Sequence, residues 1–184
     1  GIYHNAGAWT GTTTLPGGGT DPGAFLALGT EISSARITVS FPSTDVVRVD
    51  LDTDFDGVPN YTYTRDGVSS ISGSLGTGLG IGAFGDAVFD NWTVSRSRYD
   101  GFDRADGAIG GNWVSLGGAW AVSGNRGQHT SGAVLNENLQ YGGASLPYPR
   151  SVTTMDCFVT GTGLLYSGPV IGLGGTEGIL VKLQ

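Results

Sequence analysis

Short runs of alternating apolar and polar residues recur along the chain. In residues 35–41 and 47–52 every second side chain is apolar and most of those between are polar or charged. Successive side chains of a β-strand point to opposite faces of the sheet, so this period of two predicts strands with one buried face. Similar runs occupy residues 61–65, 151–160 and 179–184.

Two segments depart from simple alternation. In residues 76–85 glycine alternates with apolar residues, which leaves one strand face as bare backbone that another layer can approach closely. In residues 87–94 Phe89 and Trp92 have opposite parity, which predicts a bulge or burial on both faces.

Turn-forming residues such as Asp66-Gly67 separate these runs, and no window shows a capped apolar period of 3.6 residues. Many short strands joined by glycine-rich turns are typical of sandwiches and barrels. The pattern predicts an all-β chain folded as an antiparallel β-sandwich, with almost no helix.

Composition narrows the classes of partner. The 184-residue chain carries a net charge of −7, whereas nucleic-acid binding needs clustered Lys and Arg, so no nucleic acid is expected. No run of about 18 apolar residues occurs, so no membrane span is expected.

The one cysteine, Cys157, lies in an alternating run and is expected to be a buried structural residue rather than a reactive thiol. The low Lys and Cys content, with abundant Gly, Thr and Ser, resembles extracellular, cell-surface or virion-surface proteins.

Four aspartates at alternate positions and a following asparagine form the sharpest local motif. They are Asp50, Asp52, Asp54, Asp56 and Asn60. Alternate carboxylates can converge, Gly57 permits a sharp turn, and calcium takes about six to eight oxygen ligands. An EF-hand is excluded because its twelfth position would be Tyr63 rather than Glu. The motif predicts a calcium site, and the alternative is a solvated acidic hairpin tip.

Two phrases in the middle of the chain resemble a known family. Residues 101–113, Gly-Phe-Asp-Arg-Ala-Asp-Gly-Ala-Ile-Gly-Gly-Asn-Trp, with residues 118–126 after them, resemble the amino-terminal signature of concanavalin A-like (laminin-G-like) jelly-roll domains of bacterial and phage surface proteins. Residues 78–85 and then 88–94, Val-Phe-Asp-Asn-Trp-Thr-Val, resemble the carboxy-terminal signature. The resemblance implies a jelly roll of two packed antiparallel sheets, with roles in adhesion, carbohydrate binding or architecture.

The two signatures stand in reversed order. Residues 1–97 resemble the carboxy-terminal half of such a domain, and residues 98–184 resemble the amino-terminal half. Three arrangements remain open: a circular permutant that folds on itself, one period of a tandem array, or halves completed by neighbouring copies in a head-to-tail homopolymer. The last two predict self-association into a filament or surface array.

The resemblance also implies a second candidate calcium site. Related jelly rolls often hold a structural calcium where their first and last strands meet, which points to Asp90, Asp103 and Asp106. The alternative is that Asp90-Asn91 and Asp103 make turn hydrogen bonds.

These observations together predict a non-enzymatic extracellular structural or adhesive unit that is stabilised by calcium and forms part of a surface filament. The three glutamates, Glu31, Glu137 and Glu177, are far apart in sequence, and the Glu-x-Asp-x-x-Glu strand of the family's glycosidases is absent. The alternative is a carbohydrate-binding module that stacks a glycan on aromatic rings. The stacking candidates are Trp9, Tyr61, Tyr63 and Tyr148.

Overall fold

A computed structural model describes residues 2–5, 13–14, 32–67, 78–84, 86–95, 98–130, 137–142, 152–159, 166–174 and 177–181. Within these ranges the chain forms strands and no helix. The strands are β1 (Ile2–Asn5), β2 (Thr13–Thr14), β3 (Ser34–Ser40), β4 (Val47–Asp52), β5 (Tyr61–Arg65), β6 (Gly78–Phe84), β7 (Ala87–Val94), β8 (Arg98–Asp100), β9 (Gly107–Ala108), β10 (Trp113–Ser115), β11 (Ala119–Ser123), β12 (Arg126–Thr130), β13 (Glu137–Tyr141), β14 (Thr153–Val159), β15 (Tyr166–Gly174) and β16 (Glu177–Val181).

The strands form two antiparallel sheets. The seven-stranded sheet has the order β10-β13-β6-β15-β16-β1-β2. The nine-stranded sheet has the order β5-β4-β3-β14-β7-β12-β11-β9, with β8 also paired to β7. Strand β15 of the first sheet lies against β14, β7 and β3 of the second. The predicted all-β antiparallel sandwich is confirmed.

Alternation places the core where the sequence pattern predicts it. On β3 the side chains of Ala35, Ile37 and Val39 are fully buried, while the residues between them are half-buried. On β7 a break in the alternation brings Phe89 and Trp92 into the core together. Asn91, at a φ of 49°, lies at this break, opposite a register shift in β14. Of the two alternatives for residues 87–94, the structure shows the bulge.

Strands from residues 1–97 and 98–184 interleave within the chain. In the nine-stranded sheet β14 pairs with both β3 and β7, and in the other sheet β6 pairs with both β13 and β15. Strand β1 pairs with β16, with Ile2 opposite Val181. The described strands of both halves therefore share one sandwich.

An aromatic cluster joins the two sheets at the junction of the two signatures. The ring of Trp92 on β7 lies with its centroid 4.8 Å from those of Trp113 on β10 and Tyr141 on β13. Phe102 lies 5.1 Å from Phe89 and 5.8 Å from Trp113. Because large aromatic side chains bury much apolar area, these cross-sheet contacts contribute strongly to stability.

The glycine-rich strand β6 has a close neighbour, but it is in the same sheet. A Cβ on Gly80 would overlap the carbonyl oxygen of Leu139 on the adjacent strand β13. The backbone that lies close to Gly80 therefore belongs to the paired strand β13 of the same sheet. The sequence predicted instead that the second sheet would lie close to this glycine-rich face.

Candidate functional site: the acidic loop

The acidic loop, residues 52–60, connects β4 to β5 at one side of the nine-stranded sheet. Asp52, Asp54 and Asp56 each offer a carboxylate oxygen, and these oxygens lie within 4.8 Å of one another. Asp52 is only 5% exposed, whereas Asp54 and Asp56 are open to solvent. The loop thus gathers three carboxylates around one buried member.

The Asp52 carboxylate has one satisfied oxygen and one unsatisfied oxygen. Its Oδ2 accepts a hydrogen bond from the backbone N–H of Gly57 at 2.9 Å. Its Oδ1 is buried and has no hydrogen-bond partner in the described structure. Buried polar atoms normally have a partner, so an orphaned carboxylate oxygen beside two other carboxylates suits a cation.

Asp52 is held in its charged form at neutral pH. Burial raises the pKa of the Asp52 carboxyl, whereas hydrogen bonds from the Gly57 and Phe55 amides and the charge of Arg36 lower it. The net effect is a pKa below the ordinary value. The loop therefore presents a buried anion across the neutral pH range.

Two left-handed residues shape the loop. Phe55 has a φ of 62° and Gly57 a φ of 91°. A Cβ at Gly57 would meet open space, so glycine is favoured there by its backbone conformation and not by crowding. Asp56 Oδ1 accepts a hydrogen bond from the Val58 N–H at 2.7 Å, which tightens the turn.

Asp50 and Asn60, the other two predicted ligands, have different roles in the structure. Asp50 accepts hydrogen bonds from Arg48 Nε at 3.0 Å and from Thr62 Oγ1 at 2.6 Å. The side-chain oxygen of Asn60 accepts from the Thr53 N–H at 2.6 Å and from the Thr53 hydroxyl at 2.8 Å. Asn60 thus braces the two ends of the loop, and Asp50 belongs to a neighbouring ion pair.

The sequence spacing did not distinguish Asp50 from Asp52, because both follow the same period of two. Residues two apart on a strand are about 6.5–7 Å apart along its axis, too far to share an ion unless the chain turns between them. Strand β4 ends at Asp52, so Asp50 and Asp52 both lie on the extended strand. The chain turns only after Asp52, and this turn brings Asp54 and Asp56, but not Asp50, toward Asp52.

Among the described residues, the group of three carboxylates close enough to share an ion is Asp52, Asp54 and Asp56, and it contains no member of the second candidate set, Asp90, Asp103 and Asp106. Asp106 Oδ1 accepts from the Gly124 N–H at 2.9 Å, in the turn between β11 and β12. Asp90 Oδ1 accepts from the Asn91 N–H at 2.8 Å. Asp90 thus makes a local hydrogen bond of the kind that the sequence allowed as the alternative, and Asp106 binds the backbone of a neighbouring turn.

The charge of Asp103 still affects the pKa of Asp90. Burial raises the pKa of Asp90, and the charges of Asp156 and Asp103 raise it further, against the Asn91 amide and Arg126, which lower it. The nitrogen Nε of Arg126 lies 3.8 Å from Asp90 Oδ2. Arg126 therefore offsets part of this local negative charge.

Asp100, which is not among the predicted site residues, is the hydrogen-bonding centre of the junction between the two signature phrases. Its Oδ1 accepts from the Phe102 N–H and from Arg104 Nη1, both at 2.8 Å. Its Oδ2 accepts from Trp113 Nε1 at 2.7 Å and from Arg104 Nη2 at 3.2 Å. The sequence signal for this role is an Asp immediately before the Gly-Phe-Asp-Arg phrase, with an Arg four residues later. Asp100 thus joins Phe102, Arg104 and Trp113 where the two signature phrases meet.

A groove lies on the outer face of the nine-stranded sheet. It has a volume of about 460 Å³ and is lined by Thr93, Ser95, Val152 and Thr154. Thr93 lies between the buried Trp92 and Val94, so its side chain points away from the core. Tyr99 on β8 pairs with Thr93 and is 63% exposed.

Tyr61 and Tyr63, two of the predicted stacking aromatics, are not among the described residues that line this groove. Tyr61 and Tyr63 pair with Leu51 and Val49 across β4 and β5, and Tyr63 is packed against the core. Trp9 and Tyr148 lie outside the described residues. Tyr99 is the large exposed aromatic of the described surface, and no sequence pattern reveals it because exposure depends on strand pairing.

A comparison of the chain with protein-family models, curated proteins and solved structures finds no match. Two antiparallel sheets occur in many unrelated families, so the concanavalin A-like resemblance stays a prediction. In the part of the chain that the structure describes, no helix has the length and apolar character needed to cross a membrane.

Proposed function

We propose that this protein is a non-enzymatic extracellular β-sandwich unit, structural or adhesive, that is stabilised by calcium bound in the acidic loop. The observation that carries this proposal is the buried Asp52 carboxylate, with one orphaned oxygen, beside Asp54 and Asp56. Three carboxylates at this distance repel one another, and a divalent cation removes that repulsion.

The ligand set suits calcium better than softer metals. Asp52, Asp54 and Asp56 would supply the carboxylates, and calcium fills its remaining positions with backbone carbonyls and water. The cluster contains no His or Cys ligand, which zinc and other transition metals prefer. Modules with few charged ligands bind calcium at about 10⁻⁴–10⁻³ M, which matches an extracellular setting.

Thermal melting with and without calcium tests the site. We expect a higher Tm in about 10 mM calcium than in chelator, because a ligand that binds only the native state stabilises it by about 1.4–2.7 kcal/mol at ten to one hundred times its Kd. For a chain of this size that corresponds to about 3–11 °C.

Two matched variants make the test specific. Asp52→Asn should lose the calcium-dependent shift, whereas Asp50→Asn should keep it because Asp50 is paired with Arg48 and Thr62. A wild-type Tm that is the same in calcium and in chelator would refute the calcium site.

We further propose that the unit is a repeat or subunit of a surface filament. The support is the reversed order of the two signature phrases; since the described strands of both halves share one sandwich, association would join complete units. Light scattering of the purified chain tests this: concentration-dependent multimers are expected. A particle of 18.8 kDa at all concentrations would refute self-association and favour a permuted monomer.

A carbohydrate-binding module is the second candidate, and the groove favours it. Three hydroxyl side chains line the groove, and the exposed ring of Tyr99 lies on the adjacent strand. Hydroxyl hydrogen bonds together with an aromatic platform suit a sugar. A glycan array should then show binding that Tyr99→Ala and Thr154→Val both abolish, and an array without signal would refute this candidate.

A further inference from the structure

A stack of four side chains ties the acidic loop to the middle of the nine-stranded sheet. The ring of Phe55 lies nearly parallel to that of Phe158 on β14, with centroids 5.9 Å apart and an interplanar angle of 11°. The guanidinium carbon of Arg36 lies 5.7 Å from the Phe55 centroid, and that of Arg126 lies 4.5 Å from the Phe158 centroid. We call these side chains the Phe55 stack.

The stack reaches across the sheet. The loop joins β4 to β5, yet Phe158 belongs to β14, which is separated from β4 by β3. Phe55 is therefore anchored outside its own hairpin. A solvated hairpin tip would need no such anchor, since a loop of this kind satisfies its backbone with water.

Phe55 occupies the centre of the carboxylate cluster in sequence. It lies between Asp54 and Asp56, and its backbone has a left-handed φ of 62°, which is uncommon for a bulky residue. Such a conformation persists when the surroundings hold it in place. Because the ring is held against Phe158, the backbone that carries Asp54 and Asp56 is held at the same time.

Arg36 links the stack to the sheet beneath it. Its Nε donates to Asp156 Oδ1 at 2.7 Å and its Nη2 donates to Asp156 Oδ2 at 3.1 Å. Asp156 is 3% exposed and also accepts from Asn91 Nδ2 at 2.9 Å. The guanidinium that covers Phe55 is thus fixed by a buried partner in β14, so the docking surface for the loop is rigid.

We propose that Phe55 is a positioning residue for the cation site, which it preorganises by docking on Phe158. This inference rests on the proposed calcium site. Without the stack, the loop would have to bring three mutually repelling carboxylates together when the ion arrives, and that ordering would reduce affinity. With the stack, Asp54 and Asp56 are already beside the buried Asp52 before the ion binds.

Calcium titration by calorimetry tests the proposal on the intact chain. Phe55→Ala and Phe158→Ala should each weaken calcium binding about five- to tenfold, the worth of one aromatic pair expressed as affinity. The double variant should lose little more than either single variant, because both remove the same contact. Phe158→Ala is the sharper test, since it leaves the acidic loop unchanged in sequence.

Val58→Ala is the matched control in the loop. Val58 is 64% exposed, so its truncation should leave calcium affinity unchanged. The melting temperature of each variant in chelator, with circular dichroism of the native state, reports loss of ordinary packing. Titration well below that temperature separates positioning from general destabilisation.

The outcomes separate this inference from the proposal on which it rests. If the wild-type chain binds no calcium, the cation site is wrong and the positioning role falls with it. If the wild type binds calcium and both phenylalanine variants bind it within twofold of wild type, the site stands and the positioning role is refuted. A five- to tenfold loss in both variants, with Val58→Ala unchanged, supports the positioning role.

Discussion

Replacing Asp100 by asparagine removes one charge from the hydrogen-bonding centre of the junction while preserving the size of the side chain. Four donor contacts at 2.7–3.2 Å converge on the two carboxylate oxygens. An asparagine has only one oxygen at this position, so its NH₂ group would face donors. Either the Trp113 indole or the Phe102 amide would then lose its acceptor.

The expected loss of folding free energy follows from the number and kind of hydrogen bonds that Asp100→Asn removes. A hydrogen bond to a charged group contributes about 1.5–3 kcal/mol when buried, and Arg104 is one third exposed, so water recovers part of the loss. We expect Asp100→Asn to destabilise the fold by about 3 kcal/mol at pH 7. For a chain of this size the Tm should fall by about 6–12 °C.

The loss should depend on pH in a defined direction. Burial raises the pKa of Asp100, but hydrogen bonds from Arg104, Trp113 and the Phe102 amide outweigh it and leave the folded-state pKa below the ordinary 3.8. A depressed pKa contributes stability that is complete above the unfolded-state pKa and disappears as pH falls through the folded-state value. The difference between wild type and variant should therefore be full at pH 7 and shrink below about pH 4.

Urea unfolding followed by tryptophan fluorescence measures this difference at pH 7 and pH 3. Asp103→Asn is the matched control, because Asp103 is an exposed aspartate in the same segment. The reasoning would be refuted if Asp100→Asn unfolded within about 1 kcal/mol of wild type at pH 7, or if the difference did not shrink at low pH.

Two further outcomes follow from the packing. A Cβ on Gly127 would lie within 2.5 Å of the Phe89 ring, so Gly127→Ala should lower stability by about 1–3 kcal/mol or more, and an unchanged urea midpoint would contradict this contact. Burial raises the pKa of the Cys157 thiol, so it should resist an aromatic disulfide reagent in the native protein and react on unfolding. Rapid stoichiometric labelling of the folded chain would show that Cys157 is accessible.

Features that depend on neighbours along the chain could be predicted from the sequence. The alternation in residues 35–41 and 47–52 placed Ala35, Ile37 and Val39 in the core, and it predicted an all-β sandwich. Side-chain direction in a strand reverses at every residue, so the buried face can be found from a short window. The convergence of Asp52, Asp54 and Asp56 was predictable for a similar reason, since a short loop limits where its carboxylates can lie.

Features that depend on which strands meet required the tertiary structure. Strand order placed β14 between β3 and β7, and only that order brings Phe158 beneath Phe55 and Asp156 beside Arg36. The end of β4 separated Asp50 from the three gathered carboxylates, although all four share one spacing. Pairing energies between strands distant in sequence depend on packing across the whole sandwich, so no local pattern encodes them. The sequence alone therefore determined the β-sandwich class and the acidic loop. Strand pairing decided that Phe158 and Arg36 pack against the loop and that Asp50 is not one of its gathered carboxylates.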